Sequence, residues 1–239
     1  MIRIFRRLRQ PKHPEKRLGK YVVYALGEIF LVVVGILIAL QINNWNEERI
    51  ERRKERAFLD ALHQEFLLNR AQLDTVTSYH LRGLNSCNKL IALFPIDTEK
   101  ANLDSISGYL KDFIYTWTFN PSQGTINAIV STSSFEVIRD RELREILISW
   151  PDLVFDLQED ENEARDYHKS AIDPYLSKHF EYNFDFSDPR NDLKALESLE
   201  FEYLIRLRRD LLNDILISQG VMEQVGRNLD RVIELTGPE

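Results

Sequence analysis

The residues of this 239-residue chain that could do chemistry are few and scattered. Five histidines, His13, His63, His80, His168 and His179, are spread along it. Only His63 with His80, and His168 with His179, come near each other, and neither spacing is that of a metal-ligand pair. Cys87 is the single cysteine, which excludes an intrachain disulfide and a paired-cysteine metal or redox site. The sequence holds no H-E-x-x-H, no glycine-rich phosphate loop and no Cys/His dyad. Ser131-Thr132-Ser133-Ser134 lacks the glycines that frame a nucleophile elbow and reads as a cap or loop. The acidic run Glu159-Asp160-Glu161-Asn162-Glu163 and the loop residues Asn183, Asp185 and Asp188 are calcium-type ligands, but the spacing and glycine of an EF-hand loop are missing. The acidic run therefore reads as a solvated helix face. His80 falls in an apolar seam, where a hydrogen-bonded core histidine is expected. No catalytic, cofactor-binding or metal-binding residue is assigned, and no cofactor is expected.

Glu28 is the exception, because of where it sits. Val22 to Ile42 is an apolar stretch of roughly 31 Å at helical rise, the thickness of a bilayer's hydrocarbon. It holds fourteen Leu, Ile, Val or Phe residues, which favour insertion by roughly 6 kcal/mol in total. One off-centre acid costs about 2–3 kcal/mol, so insertion wins. At 100° per residue Tyr21, Glu28, Gly35, Ala39, Ile42 and Asn46 share one stripe, and Gly35-x-x-x-Ala39 is a small-xxx-small pair that admits a close neighbouring helix. The stripe is expected to face protein, with Tyr24, Glu28, Gly35, Ala39 and Asn46 as the contact residues. Glu28 has two readings at this point. It is a polar lock hydrogen-bonded to a neighbouring helix, or it titrates on a proton or ion path.

A cleaved signal peptide is excluded by the length of the apolar stretch and by the bulky, polar Gln41-Ile42-Asn43-Asn44-Trp45 that follows it. Tyr21, Tyr24 and Trp45 lie near its ends, as interfacial aromatics do. Eight Lys/Arg precede the span, among them Arg3, Arg6, Arg7, Arg9, Lys16, Arg17 and Lys20, and five follow it up to Arg56. The positive-inside rule then puts the N-terminus in the cytoplasm and the large domain outside. Met1, Ile4, Phe5 and Leu8 share a helical face, so the first residues are either a basic amphipathic helix on the anionic leaflet or a disordered positive tail.

The segments Tyr24-Ala25-Leu26-Gly27-Glu28-Ile29 and Gly35-Ile36-Leu37-Ile38-Ala39-Leu40-Gln41-Ile42-Asn43-Asn44-Trp45-Asn46-Glu47 resemble the opening of a family of membrane-anchored proteins from Bacteroidota, domain of unknown function 6090. The Arg-rich start is similar too. The likeness is specific over about the first fifth of the chain, and beyond that it is a looser one of helical pattern and length. The resemblance implies the inner membrane of a Gram-negative cell. It implies no activity, cofactor or catalytic residue.

Composition bounds the rest. Residues 1–20 carry eight Lys/Arg against Glu15, or +7, which leaves −14 for the remainder of a chain of net charge −7. A nucleic-acid partner is therefore not expected. Nine glycines and eight prolines are few for this length and disfavour an all-β fold. Residues 1–20 read as a basic tail, 21–46 as a transmembrane helix, 47–56 as a charged stalk with a Glu48–Arg52 pair, and 57–239 as a periplasmic domain. Leu59, Leu62, Phe66, Leu73, Val76, Cys87 and Leu90 make a coiled-coil-like seam, interrupted by Asn69 and His80, in a helix closed by Phe94-Pro95. Asp97 or Thr98 can cap the next helix, through Ile114. Asn120–Gly124 breaks the pattern, and a short helix follows at Ile126–Val130. Asp140–Trp150 reads as one helix and Pro151–Lys178 as another that starts at its proline, with a possible kink at Pro174. Leu199–Leu235 reads as one long helix with a heptad-like stripe, weakened slightly by Gly220 and Gly226.

The expected fold is all-α: a single N-terminal span running into a periplasmic bundle of about five helices. The expected function is a non-catalytic membrane-anchored scaffold or interaction protein, with the lipid bilayer and a homo-oligomer or another membrane protein as partners. An accessory subunit of an ion-coupled inner-membrane complex using Glu28 is the alternative. A periplasmic enzyme stands third, with no residue to name for it.

Overall fold

A computed structural model describes residues 17–131, 134–218 and 220–237. Among them there are helices, turns and loops and no strand. The chain divides into two units, residues 1–54 and 55–239.

The first unit, as described, is the opening of one helix, α1 (Arg17–Ile91). Between residues 21 and 54 none of its side chains is buried. This part is long and apolar enough to cross a membrane, with a mean hydropathy of 2.6 over its most apolar 18 residues. Beyond it the helix turns polar and supports itself locally. Asn43 Nδ2 donates to Glu47 Oε1 at 2.8 Å, Arg49 lies over the Trp45 ring, and Arg52 pairs with Glu48 as its spacing predicts. The expected basic tail, including Arg3, Arg6, Arg7, Arg9 and Lys16, lies outside the described residues. Arg17 and Lys20 fall in the first turns of α1.

The second unit is a helical bundle with one core. Along the later part of α1 one buried stripe is Leu62, Phe66, Asn69, Leu73, Val76, His80, Leu84, Cys87 and Leu90, with Gly83 and Ser86 buried beside it. The stripe residues recur every three or four positions, which is the expected seam. The helix ends at Ile91, three residues before the expected Phe94. Next come α2 (Leu103–Phe113) and α3 (Gly124–Ser131). Asn102 caps α2, its Oδ1 accepting from the Ser105 amide at 3.0 Å. This replaces the cap expected at Asp97 or Thr98. Asp97 Oδ1 takes the Glu99 amide in the preceding loop, and Thr98 is tied elsewhere. Residues 132 and 133 of the serine-rich joint lie outside the described residues.

Three expectations about the second half are corrected. Asp140–Trp150 and Pro151–Lys178 are not separate helices. A single helix, α4 (Arg141–Tyr167), runs through with Pro151 inside it, and Asp140 Oδ1 caps it on the Leu143 amide at 2.8 Å. An internal proline costs about 3 kcal/mol. On either side of it Leu147, Trp150, Leu153, Val154 and Leu157 continue one buried stripe, and each large apolar side chain buried contributes about 1.5–3 kcal/mol. Pro151 itself points to solvent, so packing outweighs the lost hydrogen bond. Second, α4 passes through a π-helical turn, His168–Ile172, into α5 (Asp173–His179). Pro174 falls in the first turn of α5, so the irregularity expected at this proline sits just ahead of it. Third, Leu199–Leu235 is broken. It comprises α6 (Leu199–Asn213), a second π turn (Asp214–Ser218), and α7 (Val221–Thr236). Gly220 stands at φ +69° ahead of α7, a conformation that only glycine adopts without strain.

The elements close on α4, which packs against both α6 and α7. From α1, Phe66 meets Trp150 with ring centroids 5.1 Å apart, and Trp150 meets Phe119 edge-on at 6.5 Å. α6 approaches α1 closely at Gly83, where a Cβ would come within 3.3 Å of Leu212 Cδ1. Exposed ion pairs, Arg70–Asp230 and Arg231–Glu142, flank α7 and contribute little each.

Trp150 is fully buried between helices, so Trp150→Ala is expected to destabilise the domain by about 3–5 kcal/mol, read as a lowered midpoint in thermal unfolding by circular dichroism. The Thr98 hydroxyl and amide, with Lys194 at 3.0 Å, hold the Glu197 carboxyl down at about 2. Its contribution is present in full above the ordinary carboxyl range and is lost progressively as pH falls from 4.5 through about 2. A carbon-detected NMR titration of the Glu197 side chain is expected to show that midpoint, and an ordinary one near 4.5 would refute the tie.

Candidate functional site

Tyr24, Glu28, Gly35, Ala39 and Asn46 are all exposed along α1. Tyr24 is 59% exposed, and no residue of the most apolar window is buried. A Cβ on Gly35 would meet nothing within 4 Å. Asn46 Oδ1 accepts from Arg49 Nη2 at 3.3 Å. Among the described residues Glu28 has no hydrogen-bond or ion-pair partner. It stands in an apolar helix with both carboxylate oxygens unused.

A second arrangement goes beyond the break expected at Asn120–Gly124. Between α2 and α3 the chain crosses the bundle as a non-helical strap, residues 115–123. Its backbone cannot use helical hydrogen bonds, and side chains from three helices supply them instead. From α1, Asn69 makes a reciprocal pair with Ser122: Nδ2 donates to its carbonyl at 2.9 Å, and Oδ1 accepts its amide at 2.8 Å. From α4, Glu161 Oε2 accepts the Phe119 amide at 2.7 Å, while Gln158 Nε2 donates to the Phe119 carbonyl at 2.8 Å. From α6, Arg208 Nη2 donates to the Tyr115 carbonyl at 3.1 Å, and its Nη1 to the Ala164 carbonyl at 3.0 Å. Glu65 adds the entry to α3, accepting from the Thr125 amide and hydroxyl, both at 2.9 Å.

Three of these anchors are themselves buried, while Gln158 and Glu65 are half-buried. Asn69 is 3% exposed, Glu161 1% and Arg208 1%. His80 completes the set, its Nε2 lying 3.0 Å from Glu161 Oε1. The hydrogen-bonded core histidine expected at position 80 is thus found, with a carboxylate as its partner. The acidic run is corrected at one position: Glu159 and Glu163 are solvated, but Glu161 turns into the core. Arg208 has no carboxylate partner among the described residues, and burial lowers its pKa. Burial also pushes the Cys87 thiol and the Tyr167 phenol beside it up to about 12, so both stay neutral. His168 pairs with Asp173 at 2.9 Å, and burial lowers its pKa.

The chemistry of this arrangement is structural. It contains no nucleophile with an activating base, and no group of three metal-type ligands is found among the described residues. Asn183, Asp185 and Asp188 take part in local turns around Glu181 and Arg190. Sequence reasoning missed the anchors because Gln158, Glu161 and Arg208 lie among charged neighbours and look solvated. Only Asn69 and His80, polar residues inside an apolar seam, carried a signal.

Removing one partner of a buried pair leaves the other uncompensated. Glu161→Ala is therefore expected to cost about 3–5 kcal/mol in unfolding and to speed amide exchange at Phe119. In the cycle with His80→Ala the two losses should fail to add, by about 0.5–3 kcal/mol.

No curated protein and no solved structure matches the chain. A family model does, that of a family of unknown function (DUF6090), over residues 28–150. The matched part contains Glu28, Gly35, Ala39, Asn69, His80 and the whole strap, and stops at Trp150, ahead of Gln158, Glu161 and Arg208. It covers half of the sequence, and the chain belongs to this family of unknown function.

Proposed function

We propose that this protein is a non-catalytic, single-pass membrane-anchored scaffold that self-associates through residues 21–46, with its domain on the periplasmic side of the inner membrane. Glu28 carries the reading. A carboxyl with no partner costs about 2–3 kcal/mol in hydrocarbon, and it shares a stripe with Gly35 and Ala39, where another helix can come close. In parallel copies equal positions lie at equal depth, so Glu28 of one copy meets Glu28 of the next, and the two carboxyls leave the lipid by hydrogen-bonding through a shared proton. The larger Lys/Arg count before the span supports the orientation. The scattered histidines and the single cysteine support the absence of catalysis.

The test is native mass spectrometry of the full-length protein in lipid nanodiscs. A homo-oligomer is expected, with Gly35→Leu weakening self-association by about tenfold or more. A strictly monomeric wild-type chain, or a Gly35→Leu variant of unchanged assembly size, would sink the proposal. A second polypeptide at fixed stoichiometry, taken from the native membrane, would favour an accessory subunit of an ion-coupled complex.

A further inference from the structure

Where α1 leaves the apolar stretch, its charges are sorted by face. At helical rotation Trp45, Arg49, Arg52 and Arg53 fall within an arc of about 100°, and Glu47, Glu48 and Glu51 fall within a second arc on the other side. A solvated helix supports itself by placing an acid three or four residues from each base. Arg52 follows that rule and pairs with Glu48. Arg49 and Arg53 do not. The helical neighbours of Arg49 are Trp45, Asn46, Arg52 and Arg53, and those of Arg53 are Arg49, Ile50, Arg56 and Ala57. Like charges at these spacings weaken a helix, and this helix supplies no acid to offset them. Among the described residues Arg53 has no hydrogen-bond or ion-pair partner.

The position of the two arginines says which anion is at hand. In an α-helix each Cα–Cβ bond leans toward the N-terminus, which here is toward the apolar stretch. The Arg49 guanidinium accordingly lies 5.9 Å from the centroid of the Trp45 ring, four residues back, and its Nη2 donates to Asn46 Oδ1 at 3.3 Å. Its charge thus sits level with residues 45 and 46, about 5–6 Å beyond Ile42 at helical rise. In a bilayer whose hydrocarbon is filled by the apolar stretch, that level is the headgroup layer. Trp45 stands at the same level with 64% of its surface open, and Arg53 follows one turn further out.

We propose that Trp45, Arg49 and Arg53 form a headgroup site for a phospholipid of net negative charge, in the leaflet at the C-terminal end of the span. The planar Arg49 guanidinium donates paired N–H groups to the lipid phosphate, and the Trp45 indole seats the lipid at the interface. Arg53 makes the site selective. A zwitterionic lipid carries its ammonium outward of its phosphate, toward Arg53, and the two cations repel. An anionic lipid places no cation there. The site rests on the reading that residues 21–46 cross a membrane, and it does not require self-association.

The test releases the full-length protein into a native mass spectrometer from nanodiscs made of equal parts phosphatidylglycerol and phosphatidylcholine, and counts the lipids it retains. Wild-type protein is expected to retain phosphatidylglycerol in severalfold excess. Basic residues ahead of the span add to that total, so the decisive comparison is between variants. The double variant Arg49→Gln/Arg53→Gln should lose much of the excess. Lys54→Gln removes a charge from outside the arginine arc and should keep it. All three side chains are exposed, so the melting temperature is expected to stay unchanged. Equal retention of both lipids by the wild type, an undiminished excess in the double variant, or an equal loss from Lys54→Gln would each overturn the site. Assembly size is read from the same spectra, so unselective retention on an intact oligomer defeats this site alone. A chain that does not enter nanodiscs defeats the membrane reading with it.

Discussion

Backbone amides and carbonyls must be hydrogen-bonded wherever water cannot reach them, and a helix meets that demand internally. Residues 115–123 break the arrangement by crossing a helical bundle without being helical. Each buried polar group left unpaired there would cost about 1–3 kcal/mol. The bundle answers with Asn69, Gln158, Glu161 and Arg208, one or two from each of three helices. Those side chains then need partners of their own, which accounts for His80 beside Glu161 and for the second carbonyl on Arg208. The packing of α1, α4 and α6 is thus constrained by what lies between them as well as by their apolar stripes.

Two acids express the same electrostatic rule in opposite ways. Glu161 is sealed in the core of residues 55–239 with both oxygens engaged, one accepting the Phe119 amide and the other 3.0 Å from the His80 imidazole. Glu28 stands in an apolar helix with no such company among the described residues. A polar group removed from water is tolerable when hydrogen-bonding partners converge on it. The first acid is therefore complete within one chain, and the second has no such set of partners among the described residues.

How much of this was legible in the sequence divides along periodicity. The α1 seam, Leu62 to Leu90, follows directly from three- and four-residue spacing, and so does the apolar span. The irregular features do not. Pro151 looks like a helix start because proline favours the first turn, and only the burial of Trp150 on Phe66 reveals why the helix continues. Gly220 looks like a mild weak point, while its left-handed backbone actually ends one helix and begins another. The π turns at His168–Ile172 and Asp214–Ser218 leave no mark in a hydrophobic pattern, because one extra residue per turn is smaller than the spread of that pattern. The strap anchors were hidden most completely, since a buried glutamate and a solvated one are the same letter.

The strap also sets an order of events in time. Its anchors lie 53 residues before it, then 39, 42 and 93 residues after the positions they hold. A chain made from its N-terminus completes Tyr115, Trp117 and Phe119 well before Glu161 and Arg208 exist. At about 5–20 residues per second the nascent strap waits several seconds for its last partner, with three aromatics and an unpaired backbone open to whatever is nearby. During synthesis the same segment that is later fastened from three helices stands open to misassociation. A holdase bound over residues 115–123 would have to let go only after α6 leaves the ribosome.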